Sequence, residues 1–557
     1  MKTRKRLTLA SILFLFPVLP LVFRLFKLEI WDHSSLTIEA DREFSRSYWE
    51  ISPRAPIIDR NGNILAESLP IWSVFADKKM IANPDRIAKK IAPLLKKSPD
   101  EILRRYHEKN RFPTLADSLS YEQAQAIEKM RITGLGLTLH ERRFYPNGTL
   151  AESVLGEASQ DGRGLSGIEL SWNSRLTGIA QKLRVIRDGT GKMIYVNAAN
   201  TGISQKPLQL TIDRDVQYIA EEALDETAKS LKIGGGTVLI QDPNNGQILS
   251  MATYPETPLK NVAVQDTYEA GSVLKILATA AALEGHIVSP TENIFCENGS
   301  YHITPRVTIH DDEPSQFLTL SGILERSSNI GISKIVLRVG RPAFYETMRA
   351  FGFLNKTQIH FPGEASGSWK AFLNRGDLPL TSAAYGYGVA VTPLQILDAY
   401  SAIANGGILW QPLISTEETP SRVRRVVSRK TIETLTGFLE NVVEKGTGVL
   451  AKIPGYAIAG KTGTAHQVDP STKKYSRTKY NASFIGFLPA GHPLWTILVV
   501  LNNPKGQYYG GQASAPVFAK IARRLIALKG LPPEPSLIAK TWSPANKLLS
   551  QGSERTR

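Results

Sequence analysis

The chain holds a single cysteine, Cys296, in 557 residues, so no intramolecular disulfide can form. A protein of this size must rest on its apolar core, whether it stays in the cytosol or is exported. No low-complexity tract dominates. Hydrophobic residues make up 42% and charged residues 21%, the balance of a packed chain and not of a disordered one. A length of 557 residues allows two or three domains. No cysteine and histidine spacing fits a zinc finger or ribbon. Cys296, His302, His310 and Asp311 are metal-ligand types close in sequence. Without such a spacing, no metal and no cofactor are expected.

Acidic residues are too few to balance the basic ones. Lys and Arg number 67 against 51 Asp and Glu, for a formal charge of +16. A recognisable nucleic-acid-binding module is also lacking. Basic clusters such as Arg422, Arg424, Arg425, Arg429 and Lys430 suit anionic membranes and wall polymers, or are simply solvated charge.

The N-terminus lacks a cleavage site. Lys2, Arg4, Lys5 and Arg6 precede a run from Leu7 to Phe23 that is apolar apart from Thr8 and Ser11. At about 1.5 Å per residue that run spans about 25 Å, just short of a bilayer core. Leu25 and Phe26 extend it past Arg24, which can snorkel. Pro17 and Pro20 are tolerated in membrane helices. A signal peptide would end in small residues, and Phe23-Arg-Leu-Phe-Lys-Leu-Glu-Ile30 has none. The expectation is an uncleaved anchor over 7–26, with 1–6 in the cytoplasm and everything after Phe26 exported.

Residues 27–50 read as a linker. The first domain, 51–205, opens on Asp59-Arg60-Asn61-Gly62 between apolar pairs, a hairpin turn. Apolar positions between 80 and 135 recur at helical spacing, and Val185 to Val196 reads as strand. This is a mixed domain without an active-site constellation. A boundary falls near Gln205-Lys206-Pro207, and the second domain spans 206–530. Gly236–Ala252 reads as two strands around Pro-Asn-Asn-Gly, and Ser483–Leu501 as a second pair. Ala515–Leu528 reads as helix with Pro516 in its first turn. Strands at both ends with helices between them give an α/β (α+β) fold, an antiparallel sheet flanked by helices. The tail, 531–557, is Pro- and Ser-rich and reads as flexible.

The chemistry centres on Tyr268-Glu269-Ala270-Gly271-Ser272-Val273-Leu274-Lys275. Ser272 stands where an Ala/Leu-rich helix begins, and positions i and i+3 share a helix face. Its hydroxyl and the Lys275 amine could therefore meet. A lysine in an apolar helix loses its charge readily and serves as a base, and a serine beside a base is an activated nucleophile. Ser-x-x-Lys is a weak pattern: Ser471/Lys474 and Ser476/Lys479 repeat it in a polar run. Ser-x-Asn occurs at Ser327-Ser328-Asn329 and again at Ser171-Trp172-Asn173, while Lys461-Thr462-Gly463-Thr464 holds the one Lys-Thr-Gly. Individually each has a plain reading, Asn329 as a helix cap and Lys461 as a solvated charge. All three in this order make a specific signature, shared by β-lactamases and penicillin-binding proteins.

On these motifs the chain resembles a class B penicillin-binding protein from about residue 50 to 530. Arg54-Ala-Pro-Ile-Ile-Asp-Arg-Asn-Gly-Asn-Ile-Leu-Ala66 and Gly167-Ile-Glu169 carry the likeness in the first domain. Tyr385-Gly-Tyr-Gly-Val-Ala-Val-Thr-Pro-Leu-Gln395 and Tyr508–Phe518 look most like the septal, cell-division member. Ala55 departs from the glycine usual in the family. The resemblance implies a peptidoglycan D,D-transpeptidase on a pedestal (dimerisation-type) domain. Ser272 would be the nucleophile, Lys275 the general base and Ser327 a proton relay. Asn329, Lys461, Thr462, Gly463 and Thr464 would bind substrate, with the backbone N–H groups of Ser272 and Thr464 as oxyanion hole. Implied partners are D-Ala-D-Ala stem peptides, β-lactams, a membrane glycan polymerase and other division proteins at the inner membrane. An elongation-type (rod-shape) transpeptidase, a β-lactamase or β-lactam sensor, and a division scaffold with a dead site remain open alternatives.

Overall fold

The computed structural model describes residues 2–187, 193–196, 205–369, 376–469, 471, 472, 474–535 and 537. Most of the predicted flexible tail lies outside the described residues. The chain folds as two compact units, Met1–Ala55 with Thr177–Lys206, and Pro56–Leu176 with Pro207–Arg557.

The first unit opens with helix α1, Lys2–Phe26. The apolar run Leu7–Phe23 lies within it, but many side chains of that run are outside the described residues. Among the described residues no helix is long and apolar enough to cross a membrane. The segment read as a linker is ordered: a helix, His33–Phe44, leads into a strand, Ser45–Ile51. No proline or glycine interrupts residues 27–50, so nothing stops the backbone from continuing its ladder. Ser45–Ile51 pairs antiparallel with Ala180–Arg187, which pairs in turn with Met193–Val196. Ala55 is buried and stands outside the positive-φ residues, so alanine fits there without strain.

Within the second unit, residues 56–176 build a small sheet. Ile64–Ala76 pairs antiparallel with Ile57–Ile58, Thr114–Leu119 and Leu135–Phe144. Helices Pro84–Leu95, Pro99–Tyr106 and Tyr121–Lys129 cover it, burying Ile91, Leu95, Ile102 and Ile127. The region expected to be helical is thus interrupted by a strand at Thr114–Leu119, whose short polar-apolar pattern was too weak to separate from helix. Asn83, Ser98 and Ser120 cap the three helices through their side chains. In the predicted hairpin, Asp59 Oδ1 accepts the N–H groups of Asn61 and Asn63 at 2.8 Å, and Gly62 takes φ +89°.

The centre of this unit is one five-stranded sheet of β1 (Gly235–Gln241), β2 (Ile248–Tyr254), β3 (Ala459–Val468), β4 (Tyr475–Leu488) and β5 (Trp495–Asn502). Its order is β2-β1-β5-β4-β3, antiparallel throughout. Strands from the two ends of the domain therefore meet at the β1–β5 pair. Every residue of β1 is buried, because apolar helices cover both faces. On one side lie α2 (Arg214–Leu231) and α7 (Gly510–Lys529), packing Ile219, Leu224, Phe518 and Ile521 against Phe484 and Val499. α7 begins before the predicted Ala515 and carries Pro516 inside its first turns. The intervening helices include α3 (Lys275–Glu284), α4 (Asn329–Val339), α5 (Pro393–Ala404) and α6 (Arg429–Lys445). All of α3 from Lys275 to Leu283 is buried, so it forms the core of the domain. β3 is left at the sheet edge.

Two carboxylates join residues 151–153 to this core. Glu221 Oε1 on α2 accepts the Ala151 N–H at 2.8 Å and Gln217 Nε2 at 2.8 Å, and Glu256 Oε1 accepts the Ser153 N–H at 2.6 Å. Burial pushes the Glu221 carboxyl up to about 7, with the neighbouring Glu256 acting in the same direction. A raised carboxyl stabilises the fold fully below its ordinary value of 4.5, and that contribution is lost as pH rises through about 7. Glu221→Gln keeps the acceptor and removes the ionisation. Its free energy of unfolding should exceed that of the unmodified protein by about 3 kcal/mol at pH 8. The two should converge at pH 5 when followed by circular dichroism.

Candidate active site

Ser272 lies in a 3₁₀ turn, Gly271–Leu274, and the α-helix proper starts at Lys275. The α-helix thus starts three residues later than predicted. The tighter turn serves the geometry, since residues i and i+3 eclipse in a 3₁₀ helix. Two glycines let other chain segments close on it. A Cβ on Gly463 would stand 2.8 Å from the Ala270 carbonyl oxygen, and one on Gly386 would stand 2.1 Å from that of Gly271. Edge strand β3 therefore lies directly against the serine's turn on one side, and the Tyr385–Gly388 loop against the other.

Lys275 is fully buried. Its Nζ donates a short hydrogen bond to the Ser327 carbonyl oxygen and a second to Ser327 Oγ at 3.1 Å. Lys461, also fully buried, donates to Ser327 Oγ at 3.1 Å, to Thr462 O at 3.2 Å and to Thr462 Oγ1 at 3.3 Å. One serine hydroxyl thus bridges two buried amines. The predicted contact between Ser272 Oγ and Lys275 Nζ is not made as a hydrogen bond among the described residues. The amine instead satisfies itself on Ser327, one α-helix terminus away. Catalytic hydrogen bonds commonly tighten only around bound substrate.

Burial pushes Lys275 down to about 7, although the negative charges of Asp311 and Asp312 oppose the shift. Burial holds Lys461 well below the ordinary lysine range, and the Lys275 charge adds to this. Near neutral pH this neighbourhood can hold an uncharged, basic amine.

The remaining residues of the signature take distinct places. Ser327 sits at φ +56°, a left-handed backbone that costs a non-glycine residue about 1–3 kcal/mol and marks functional sites. Ser328, not Asn329, caps α4, its Oγ accepting the Gly331 N–H at 2.9 Å. Asn329 opens the helix and donates from Nδ2 to His310 O at 3.0 Å. Thr462 Oγ1 pairs with Thr447 Oγ1 at 2.7 Å, and Thr464 Oγ1 accepts the Gly510 N–H at the start of α7, at 3.0 Å. The other serine–lysine pairs lie in the polar extension of the β3–β4 hairpin. There Ser471 Oγ donates to Asp469 at 2.5 Å and Ser476 Oγ accepts turn N–H groups, while Lys474 and Lys479 are exposed.

The metal-type residues do not converge. Cys296 is buried beside Ser328. His302 and His310 bond Thr308 and Ser300 across the hairpin Ser300–Thr304/Val307–His310. Among the described residues no group of three His, Cys, Asp or Glu is placed to hold a metal. A cavity of about 440 Å³ lies by the far end of β3, lined by Leu378, Pro379, Ser382, Tyr385, Tyr387, Gly388 and Tyr475. Tyr387 Oη accepts the His466 N–H at 3.1 Å, and Glu269 Oε1 accepts from Gly388 N at 2.9 Å and Tyr475 Oη at 3.1 Å. Burial pushes the Glu269 carboxyl up. Sequence reasoning did not assign this wall. The Tyr-Gly-Tyr-Gly alternation at Tyr385 was its only trace.

A serine on a tight turn, two buried lysines around a second serine, and a Lys-Thr-Gly edge strand on a helix-flanked antiparallel sheet define a penicillin-recognising serine protein. The penicillin binding protein transpeptidase domain matches residues 236–523, and the penicillin-binding protein dimerisation domain matches residues 50–210. The chain belongs to this family, the class B penicillin-binding proteins. It is 31% identical over 550 residues to the peptidoglycan D,D-transpeptidase FtsI of Escherichia coli (strain K12), covering 95% of this chain and 92% of that one. It is 30% identical over 541 residues to the stage V sporulation protein D of Bacillus subtilis (strain 168), covering 91% and 83%. Among solved structures, penicillin binding protein 3 of Mycobacterium tuberculosis complexed with aztreonam is 26% identical, with a TM-score of 0.67 over 88% of this chain and 99% of that one.

The closeness of Gly386 to Gly271 is directly testable. Gly386→Ala should displace the serine's turn and lower the second-order rate of penicillin acylation at least tenfold, as read with a fluorescent penicillin. The cooperative melt should be retained.

Proposed function

We propose that the protein is a septal peptidoglycan D,D-transpeptidase that cross-links stem peptides through an acyl-enzyme on Ser272, and that β-lactams trap it there. The convergence of all three sequence motifs on the Ser327 hydroxyl carries this reading. Ser272 Oγ attacks the carbonyl between the two terminal D-alanines of a stem peptide, and uncharged Lys275 takes its proton. The peptide C–N bond then breaks. Ser327, hydrogen-bonded to both lysines, relays a proton to the departing D-alanine amine. An amine of a second stem peptide attacks the ester, frees Ser272 and completes the cross-link. Asn329 and the strand Lys461-Thr462-Gly463-Thr464 hold the donor peptide, with the threonines at its terminal carboxylate. The Ser272 and Thr464 N–H groups receive the oxyanion, a contribution of about 2.7–4 kcal/mol per donor.

The expected architecture belongs to the same reading. An anchor at 7–26 holds the chain in the cytoplasmic membrane, with the pedestal at 51–205 and the transpeptidase domain at 206–530 on its outer face. A membrane glycan polymerase and other division proteins are its partners there. The likeness to septal and sporulation relatives favours division over wall elongation, and the attached dimerisation-type domain has no use in a β-lactamase.

Ser272→Ala should abolish covalent labelling by penicillin, whereas Ser471→Ala and Ser476→Ala should label normally. Label surviving the first change would remove the assignment. In the unmodified protein the acylation rate should rise with pH and level off above about 7, as Lys275 loses its proton.

A further inference from the structure

We propose that Asp311 is a positioning residue of the acylation site: it clamps the Ser327-Ser328-Asn329 turn onto the N-terminus of α4 and places one negative charge near the buried Lys275 amine. The inference rests on the roles of Ser272 and Lys275 proposed above.

The geometry is specific. Asp311 Oδ1 accepts the N–H groups of Asn329 at 2.5 Å and Ile330 at 3.0 Å, and Oδ2 accepts Ser328 Oγ at 2.5 Å. Three consecutive residues thus donate to one carboxylate. The residue before it joins in, since the His310 carbonyl oxygen takes Asn329 Nδ2 at 3.0 Å. The clamp arrives on the end of the hairpin Ser300–Thr304/Val307–His310, and the Asp311 N–H is itself tied to Gly299 O at 3.2 Å. A carboxylate that accepts backbone N–H groups at a helix start both satisfies unpaired donors and complements the helix dipole.

The clamp acts on Ser327, the residue just before it. Ser327 holds a left-handed backbone, which persists only where its surroundings enforce it. That backbone is what brings the Ser327 carbonyl to Lys275 and its hydroxyl between Lys275 and Lys461. Freed of Asp311, the turn can relax toward an ordinary backbone and carry the hydroxyl away from both amines. The same carboxylate acts on Lys275 through space. The titratable groups that face this lysine are Lys461 from β3 and Asp311 and Asp312 from the segment after the hairpin. The Cys296 thiol stands beyond Ser328. Asp311 is the first of the two acids that oppose the burial of the Lys275 ammonium. It therefore keeps the base from losing its proton at too low a pH.

The test is the pH profile of fluorescent-penicillin acylation, from pH 5.5 to 9.5, with the full chain and its Asp311→Asn, Asp311→Ala and Ser328→Ala variants. Rates refer to sites that acylate, so a misfolded fraction does not enter. Asp311→Asn keeps an acceptor for the two N–H groups and loses the charge. Its midpoint should fall by about half to one pH unit, because a nearby negative charge no longer favours the ammonium. Ser328→Ala keeps the charge and loses both the bond to Asp311 and the cap on Gly331, so its plateau rate should drop with the midpoint in place. Asp311→Ala should lower the plateau at least tenfold. A simple loosening of the fold would hydrate Lys275 and move the midpoint upward. An unmoved or raised midpoint in Asp311→Asn, or an unmodified plateau in Asp311→Ala, overturns the proposal. Neither result touches the nucleophile assignment, which fails only if Ser272→Ala still labels.

Discussion

The site depends on one costly act, the burial of two lysine amines around a single serine hydroxyl. An ammonium removed from water is expensive, and two side by side are more so. The fold resolves this by letting charge go. Lys275 descends to about 7 and Lys461 well below its ordinary range. Between about 7 and the ordinary 10.5, the unfolded chain holds a proton on Lys275 that the folded chain releases. The burial therefore costs stability that returns as pH rises through that window. What is gained is an amine that loses its proton near neutral pH and can then accept one from a hydroxyl. Ser327 Oγ accepts from both amines and still has its own O–H to donate. That leaves one hydroxyl through which a proton can pass between a base and a leaving group.

The architecture exists to hold these groups without water. α3 is buried along nearly its whole length and fixes Lys275 as part of the core. Tyr400 on α5 braces the preceding turn, its hydroxyl donating to Val273 O at 2.8 Å. β3 ends the sheet, so its outer edge faces the serine's turn and not another strand. An edge strand has free backbone groups, and an extended peptide end is their natural partner. The same edge position lets Gly463 approach Ala270, so the substrate strand and the nucleophile are held by one contact.

Much of this was legible in the sequence. The three motifs, their order, the buried helix after Ser272, the terminal strands and the sheet between helices follow from residue pattern alone. Other features were not legible, and for physical reasons. The 3₁₀ turn at Gly271–Leu274 depends on chain segments pressing from Gly386 and Gly463, far away in sequence. The bridging role of Ser327 depends on a positive φ that no propensity assigns to serine. Ser328 takes the cap that the plain reading gave to Asn329. Asp311 looked like a metal-ligand type beside His310, but the Ser328 hydroxyl and the first two N–H groups of α4 occupy its carboxylate. The linker over 27–50 became a helix and a strand, since the absence of turn residues was a stronger signal than polarity.

The central claim is that Lys275 gives up its proton near neutral pH, and not near the ordinary 10.5, because the fold buries it. The most direct measurement is a nuclear magnetic resonance titration of the Lys275 side chain in protein carrying isotope-labelled lysine, with the resonance assigned by its loss in Lys275→Ala. The account predicts a midpoint near 7, and a midpoint at the ordinary lysine value of 10.5 would contradict it.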